Sequence, residues 1–509
     1  MEDLLDVNKQ NPKNSDAEKE EISMLIGSLL LGVVFNLLFY KQPLNPVGIS
    51  YLIFIIAFYG VFLWNLHNKI VFKLSFGWFL SIPIIALSAT YFIFSNHIFA
   101  VLNFLIIPIL IIAQTTLITE KNNHKWYDEG FVKDILHGMF HRALGNTLKP
   151  FVVGLSTIPV GKGNEKHEVI QKVLLGLAIS IPLLIIIISL LGSADQVFQH
   201  FIDKIASSFG SINISDFSFQ GFIILFITVI VFSYTWSFSN SNDSIQTQMQ
   251  PSLHHTNHRS WDPIISITIL VVINCVYLVF TSIQFAYLFG SINHVLPQGY
   301  TYAEYARRGF FELLMVTLIN FSLLLSSLKF TIKNTKVVTR SVQLLHSLLV
   351  LCTIVILTSA YSRMSLYETA YGYTYLRVLT HSFMILLGVL FMIAFYKIWN
   401  ESMSLLKPYI VVSIVAYLII NFANIDVLIT KNNIDRYLET GKLDTHYLRN
   451  LSYDTIPQLV NLLDDEKVSI DIKKYFVEQQ KEIKELSKKQ SWQSFNLSEY
   501  KAKQVLSQY

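Results

Sequence analysis

Glu304, Arg308 and Glu312 stand four residues apart in YAEYARRGFFEL, so on a helix they share one stripe and the arginine can neutralise either acid. Glu312 falls about one turn inside an apolar run, where a carboxylate is costly and is by default a functional candidate. A second stretch, RMSLYETAYGYTYLRVL from Arg363 to Leu379, sets Arg363, Glu368 and Arg377 among Tyr367, Tyr371, Tyr373 and Tyr375, with Gly372 free to take a turn conformation. Arginines hold phosphate or carboxylate through charge-assisted hydrogen bonds, and tyrosines supply contact area. Together with Arg307 these residues are therefore candidates for ligand binding. Two structural roles use the same residue types: a tyrosine belt at a membrane interface, and ion pairs that fix helix ends.

Other chemistry is sparse. P-loop, GxGxxG, GxSxG, HExxH and EF-hand patterns are absent. His137 and His141 could share a helix face as metal ligands, but their segment offers no convincing third ligand. His254, His255 and His258 fall in a polar stretch and read as solvated loop. Cys275 and Cys352 lie inside apolar runs, which argues against a disulfide scaffold. No catalytic residue, metal or cofactor is assigned on these grounds.

The elements that must position the charged motifs follow from composition. The chain has 509 residues, 52% hydrophobic and only 15% charged, with mean hydropathy +0.46. Its apolar residues form runs close to the roughly 20 needed for a helix to cross a 30 Å hydrocarbon layer. We therefore expect an all-α integral membrane protein of about 11 spans, near 22–40, 47–66, 75–94, 98–118, 172–192, 219–238, 263–289, 309–328, 343–361, 379–398 and 407–424. Only Ser95, Asn96 and His97 separate the third and fourth spans, so a tight hairpin or a re-entrant pair is the alternative there. Asn36, Asn65, Gln114, Asn274, Gln284 and Asn320 are scattered through the spans, where amides usually bond neighbouring helices.

With residues 1–21 as a cytoplasmic tail, the inside segments and their span edges carry 20 Lys/Arg against 6 in the outside loops. An odd span count then puts residues 425–509 outside as a small helical region, together with both charged motifs and Asp195. In that region Asp454 is placed to cap a helix from Thr455, KKYFVEQQKEIKELSKKQ reads as an exposed helix, and Trp492 and Phe495 would dock the end. Inside, the loop 119–171 alternates Phe131, Ile135, Leu136, Phe140, Leu144 and Leu148 with Lys133, Arg142 and Lys149. This pattern suits either an amphipathic helix on the inner leaflet or a helix packed under the bundle. Residues 239–262 read as a polar linker.

YAEYARRGFFEL, RMSLYETAYGYTYLR and LLGSADQVF from Leu190 resemble the marks of an uncharacterised bacterial multi-pass membrane family, known only as a domain of unknown function. The resemblance continues through NIDVLITKNNIDRY from Asn424, LDTHYLRNLSYDTIPQL from Leu443 and SWQSFNLS from Ser491, covering roughly residues 170 to 500. The chain departs from that pattern at Tyr373, where leucine is common, and at Gln196, where proline is. The resemblance implies a bacterial cell-membrane location and no established activity.

Three function classes fit. One is a binding or regulatory protein that uses Glu304, Arg307, Arg308, Glu312, Arg363, Glu368 and Arg377 to recognise an envelope ligand or a membrane protein partner. The second is a transporter or lipid flippase with a polar path past Asn274, Gln284, Glu312 and Asn320. The third is a membrane-embedded enzyme acting on lipid or cell-wall intermediates, with Glu312 or Glu368 as base. The lipid bilayer is the one partner composition demands, and nothing in the chain points to nucleic acid.

Overall fold

The structure is a computed structural model that describes residues 12–40, 47–70, 72–156, 214–239, 262–289, 302–332, 335–489 and 491–508. Among them, regular structure is helical, and eight helices are long and apolar enough to cross a membrane, or nine if one bent pair counts as a span. The chain is thus an all-α multi-pass membrane protein. The expected span at 172–192, Asp195 and residues 240–261, with His254, His255 and His258, lie outside the described residues. Contacts divide the chain into two compact units, residues 1–246 with 483–500 and residues 247–482 with 501–509.

The first unit contains α1 (Pro12–Phe39), α2 (Ser50–Leu66), α3 (Phe76–Phe79), α4 (Ser81–Ile93), α5 (His97–Ile118), α6 (Phe131–Leu136), a π-helical turn His137–Arg142, α7 (Lys149–Ser156) and α8 (Ile214–Ser239). Helices in lipid approach closely where side chains are small. On α1, a Cβ at Gly27 would meet Val61 at 2.8 Å on α2, and one at Gly32 would meet the Ile224 carbonyl at 2.5 Å on α8. The hairpin at Ser95–His97 runs its full length: Gly77 abuts Ile118, Gln114 bonds Ser81 at 2.5 Å, Asn103 bonds Thr90 at 3.1 Å, and Tyr91 bonds the Ala100 carbonyl at 2.6 Å. Its arms of 18 and 22 residues, Phe76–Ile93 and His97–Ile118, each have span length, so it is not a short re-entrant pair. Asn96 caps the second arm by accepting from the Phe99 amide at 2.9 Å.

The loop after α5 packs one face against the bundle, as one of the two expectations had it. Phe131, Asp134, Gly138 and Arg142 are buried, and Arg142 donates to Thr116 Oγ1 at 2.8 Å and to the Lys121 carbonyl at 2.7 Å. Val132, Leu136, Phe140 and Leu144 are instead exposed. One face is packed under the bundle and the other is open.

The second unit contains α9 (Pro263–Phe289), α10 (Tyr302–Phe330), α11 (Lys336–Tyr371), α12 (Tyr375–Trp399), α13 (Leu406–Phe422), α14 (Ile425–Thr440), α15 (Thr445–Arg449), α16 (Ile456–Leu459) and most of α17 (Ser469–Lys489). Helix α11 is its axis. Its 36 residues make about 54 Å at 1.5 Å per residue, well beyond the ~30 Å hydrocarbon layer. Along it Leu349, Val350, Ile356, Leu357, Ala360 and Met364 pack on Phe310, Leu313 and Leu324 of α10 and on Met384, Leu387 and Phe391 of α12. Helices α13 and α14 meet at 59°. The bend is made by Asn424, left-handed at φ +45°, whose side chain accepts from the Val427 amide at 3.4 Å and so opens the next helix.

Three tail expectations are corrected. Asp454 does not cap a helix; its carboxylate accepts from Asn424 at 3.2 Å and Ser452 at 3.1 Å, while Asp444 caps α15 through the Tyr447 amide at 2.9 Å. Helix α17 is not exposed all round, because Ile472, Tyr475, Phe476 and Ile483 are buried. Trp492 and Phe495 remain 65% and 42% exposed. Polar bonds dock that segment on the first unit instead. Ser50 donates to the Gln493 carbonyl at 2.7 Å, the Ile49 amide to the Phe495 carbonyl at 3.1 Å, and Asn496 to the carbonyls of Tyr91 at 3.0 Å and Phe94 at 2.8 Å. The last helix, α18 (Leu497–Leu506), follows at once.

Candidate functional site

The motif from Arg363 to Arg377 is the end of α11, a three-residue turn and the start of α12. Helix α11 stops because Gly372 takes φ +84°, a conformation that costs a residue with a Cβ, and a Cβ there would also lie 2.6 Å from Asn433 Oδ1. The turn is held from the side by α14. Asn433 accepts from the Tyr373 amide at 2.8 Å and donates to the Tyr373 carbonyl at 2.9 Å. Arg436 donates to the carbonyls of Thr369 and Ala370, both at 2.7 Å, closing the exposed C-terminus of α11. On the α12 side, the Tyr375 amide donates to Tyr447 Oη at 2.9 Å, and the Tyr375 hydroxyl donates to Asp426, which also accepts from Ser452 at 2.7 Å. Burial pushes the Tyr373 and Tyr447 hydroxyls up from their ordinary value, so both stay protonated at neutral pH.

The turn carries Arg377 in a fixed place. Its guanidinium lies 4.3 Å from the centre of the Tyr367 ring and donates once to the Gly372 carbonyl. A guanidinium has five donors, and among the described residues no carboxylate pairs with this one. Beside it is a cavity of about 170 Å³ lined by Phe310, Phe311, Met364, Tyr367, Leu376, Thr374, Thr380 and Arg377. Phe311 and Leu376 on its rim are 54% and 69% exposed.

The other candidates are dispersed. Glu304, Arg307 and Arg308 fall in the first turns of α10, where side chains lie outside the described residues. Glu312 is exposed on the outer surface of α10 and lines no part of the cavity. Arg363 is half-buried within α11. Glu368 is 3% exposed, and its Oε2 sits 3.1 Å from His381 Nδ1 while Oε1 has no hydrogen-bond partner among the described residues. The far side of the His381 ring faces the Tyr361 carbonyl at 3.3 Å and Ser365 Oγ at 3.4 Å. Where ion pairs with arginine were one structural role weighed for these motifs, Glu368 meets a histidine.

Residue typing missed His381, Asn433, Arg436, Asp426 and Tyr447. His381 follows the second motif by a turn with no spacing signal. The other four lie inside NIDVLITKNNIDRY and LDTHYLRNLSYDTIPQL, the tail segments noted for their resemblance, and they are what fixes the turn. In the first unit, the rings of His137 and His141 lie 4.6 Å apart in the π-helical turn.

The model of the family described as Domain of unknown function (DUF4153) matches residues 81–462. The match begins before the motifs noted from the sequence and stops short of SWQSFNLS. No curated protein and no solved structure matches the chain.

Proposed function

This chain belongs to the DUF4153 family, and from that premise we propose that it is a binding protein of the bacterial cell membrane whose α11–α12 turn recognises an anionic component of the envelope. In this reading the N-terminus is cytoplasmic, and the turn with residues 425–509 is extracytoplasmic, following the charge asymmetry of the loops. The observation that carries it is Arg377, held over the Tyr367 ring in the lining of an otherwise largely apolar cavity, with guanidinium donors left over for a phosphate or carboxylate. Thr374 and Thr380 add hydroxyls to the same wall. Fastening of the turn by Asn433 and Arg436 supplies the preorganisation that a binding site needs.

The transporter and enzyme readings have no comparable support. Asn274 donates to the Leu345 carbonyl at 3.0 Å, and Asn320 accepts from Tyr277 at 2.6 Å and donates to Thr353 at 2.9 Å. Both asparagines are buried, and Leu324, Leu349 and Phe391 form part of the apolar core of the same unit. Neither Glu312 nor Glu368 lines the cavity.

The test compares wild type with Arg377→Ala and Arg377→Lys, purified in mild detergent after exposure to phosphatidylglycerol. The bound lipid is counted by native mass spectrometry. Expected is loss of at least tenfold in retention for the alanine variant, partial retention for lysine, and unchanged melting. Equal retention by all three would remove Arg377 from the site.

A further inference from the structure

We propose that the segment 131–152 of the first unit is a separate lipid-binding surface, an interfacial foot that takes the anionic phospholipid headgroups of the leaflet on which it lies. The inference is independent of the cavity at Arg377. Its first support is a stripe. Val132, Leu136, Phe140 and Leu144 recur every four residues at 58%, 48%, 59% and 54% exposure, and Leu148 and Val152 continue at 55% and 46%.

A four-residue repeat drifts by about 40° per step around an α-helix of 3.6 residues per turn. Here the middle of the stripe is π-helical, His137–Arg142, with a wider turn that rotates the repeat the other way. From Val132 to Leu144 the apolar positions are thereby kept on one side, and a turn over residues 145–148 leads to Leu148 and Val152. The opposite face cannot release them, because it is pinned. Asp134 accepts from the amides of Asn123 at 3.1 Å and His124 at 2.9 Å, Arg142 is tied to Thr116 and Lys121, and a Cβ on Gly138 would lie 2.6 Å from Ile112.

The second support is charge. Between residues 131 and 156 the sole acid is Asp134, which is 4% exposed and faces inward. Past its first position the exposed charged residues beside the stripe are Lys133 and Lys149, and the exposed acids Glu129 and Asp128 precede Val132 by three and four residues. An open apolar row whose exposed charges from Lys133 onward are cations suits the boundary between acyl chains and anionic headgroups. Each lysine near such a surface strengthens association about fivefold.

The test uses the full chain with Cys275→Ser, since Cys352 is buried and does not compete for label. Spin labels are placed singly at Val132, Leu136, Phe140 and Leu144, with Lys125 as a water-facing control, in vesicles of phosphatidylcholine with one part in three phosphatidylglycerol. Expected is oxygen-favoured relaxation at all four stripe positions and nickel-favoured relaxation at Lys125. A fluorophore at Leu144→Cys is then quenched by brominated phosphatidylglycerol at a several-fold lower mole fraction than by brominated phosphatidylcholine. Lys133→Gln with Lys149→Gln removes that difference and leaves the oxygen signal. Nickel access at the stripe, shielding from both relaxants as under a protein partner, or equal quenching by the two lipids would each overturn the proposal.

Discussion

Replacing Asn433 with alanine separates the holding of the α11–α12 turn from the chemistry it presents. The side chain makes two hydrogen bonds to Tyr373, one through its amide group and one through its carbonyl oxygen, and Asn433 is 7% exposed. At about 1 kcal/mol each, their loss destabilises the closed turn by about 2 kcal/mol, roughly a 30-fold rise in local opening. Arg436 stays bonded to Thr369 and Ala370, so α11 keeps its end and the loss is confined to Gly372–Thr374. Hydrogen exchange read by mass spectrometry on peptides spanning 369–377 reports this directly, as about 30-fold faster exchange at Tyr373 with little change at 350–360. Asn433→Asp, which keeps the acceptor and loses the donor, falls between. Retention of phosphatidylglycerol by Asn433→Ala should drop even though Arg377 is untouched. If the Tyr373 amide exchanges within twofold of wild type, α14 does not position the turn and the preorganisation argument fails.

Gly48 sits at φ +64°, and a Cβ there would lie 2.4 Å from the Ser494 backbone, so Gly48→Ala should free residues 491–498 and open them to protease while the spans remain inserted. Asp465 has its carboxyl held below the ordinary value, chiefly by the Lys467 amide and next by the Tyr437 hydroxyl. Its contribution is therefore complete above pH ~3.8 and is lost as pH falls through the lowered value. Exchange at Lys467 and Val468 should accelerate on acidification below pH 4 more in wild type than in Asp465→Asn. Single cysteines at the exposed positions Thr369 and Lys442 should label from outside intact cells and one at Lys125 should not; the reverse pattern would invert the proposed orientation.

Most of the spans were legible because lipid allows little else: twenty apolar residues in a row have few options but a helix, although the expected span near 47–66 is a shorter apolar helix, Ser50–Leu66. The turn at Gly372 was legible too, since only glycine takes that conformation cheaply. What could not be read was the partnership across distance. Glu368 was expected among arginines, yet a histidine a helix away holds it. Asn433 and Arg436 are 60 and 67 residues from the backbone atoms they bind. Trp492 and Phe495 were expected to dock the tail on hydrophobicity alone, but Asn496 finds the carbonyls of Tyr91 and Phe94, and the Gln493 and Phe495 carbonyls accept from the Ser50 hydroxyl and the Ile49 amide. Residue type predicts burial well and says little about which carbonyl a side chain will find.

That docking also sets an order of events. Gln493 emerges from the ribosome 443 residues after Ser50, and at 5–20 residues per second the interval is about 20–90 s. For all that time the first unit, begun by α1, exists without the segment that seals its end, while the spans of the second unit are being threaded into the bilayer. Quality-control proteases therefore meet the first unit unsealed in every newly made molecule. A ribosome that stops short of Asn496 leaves it so, whatever the state of the spans.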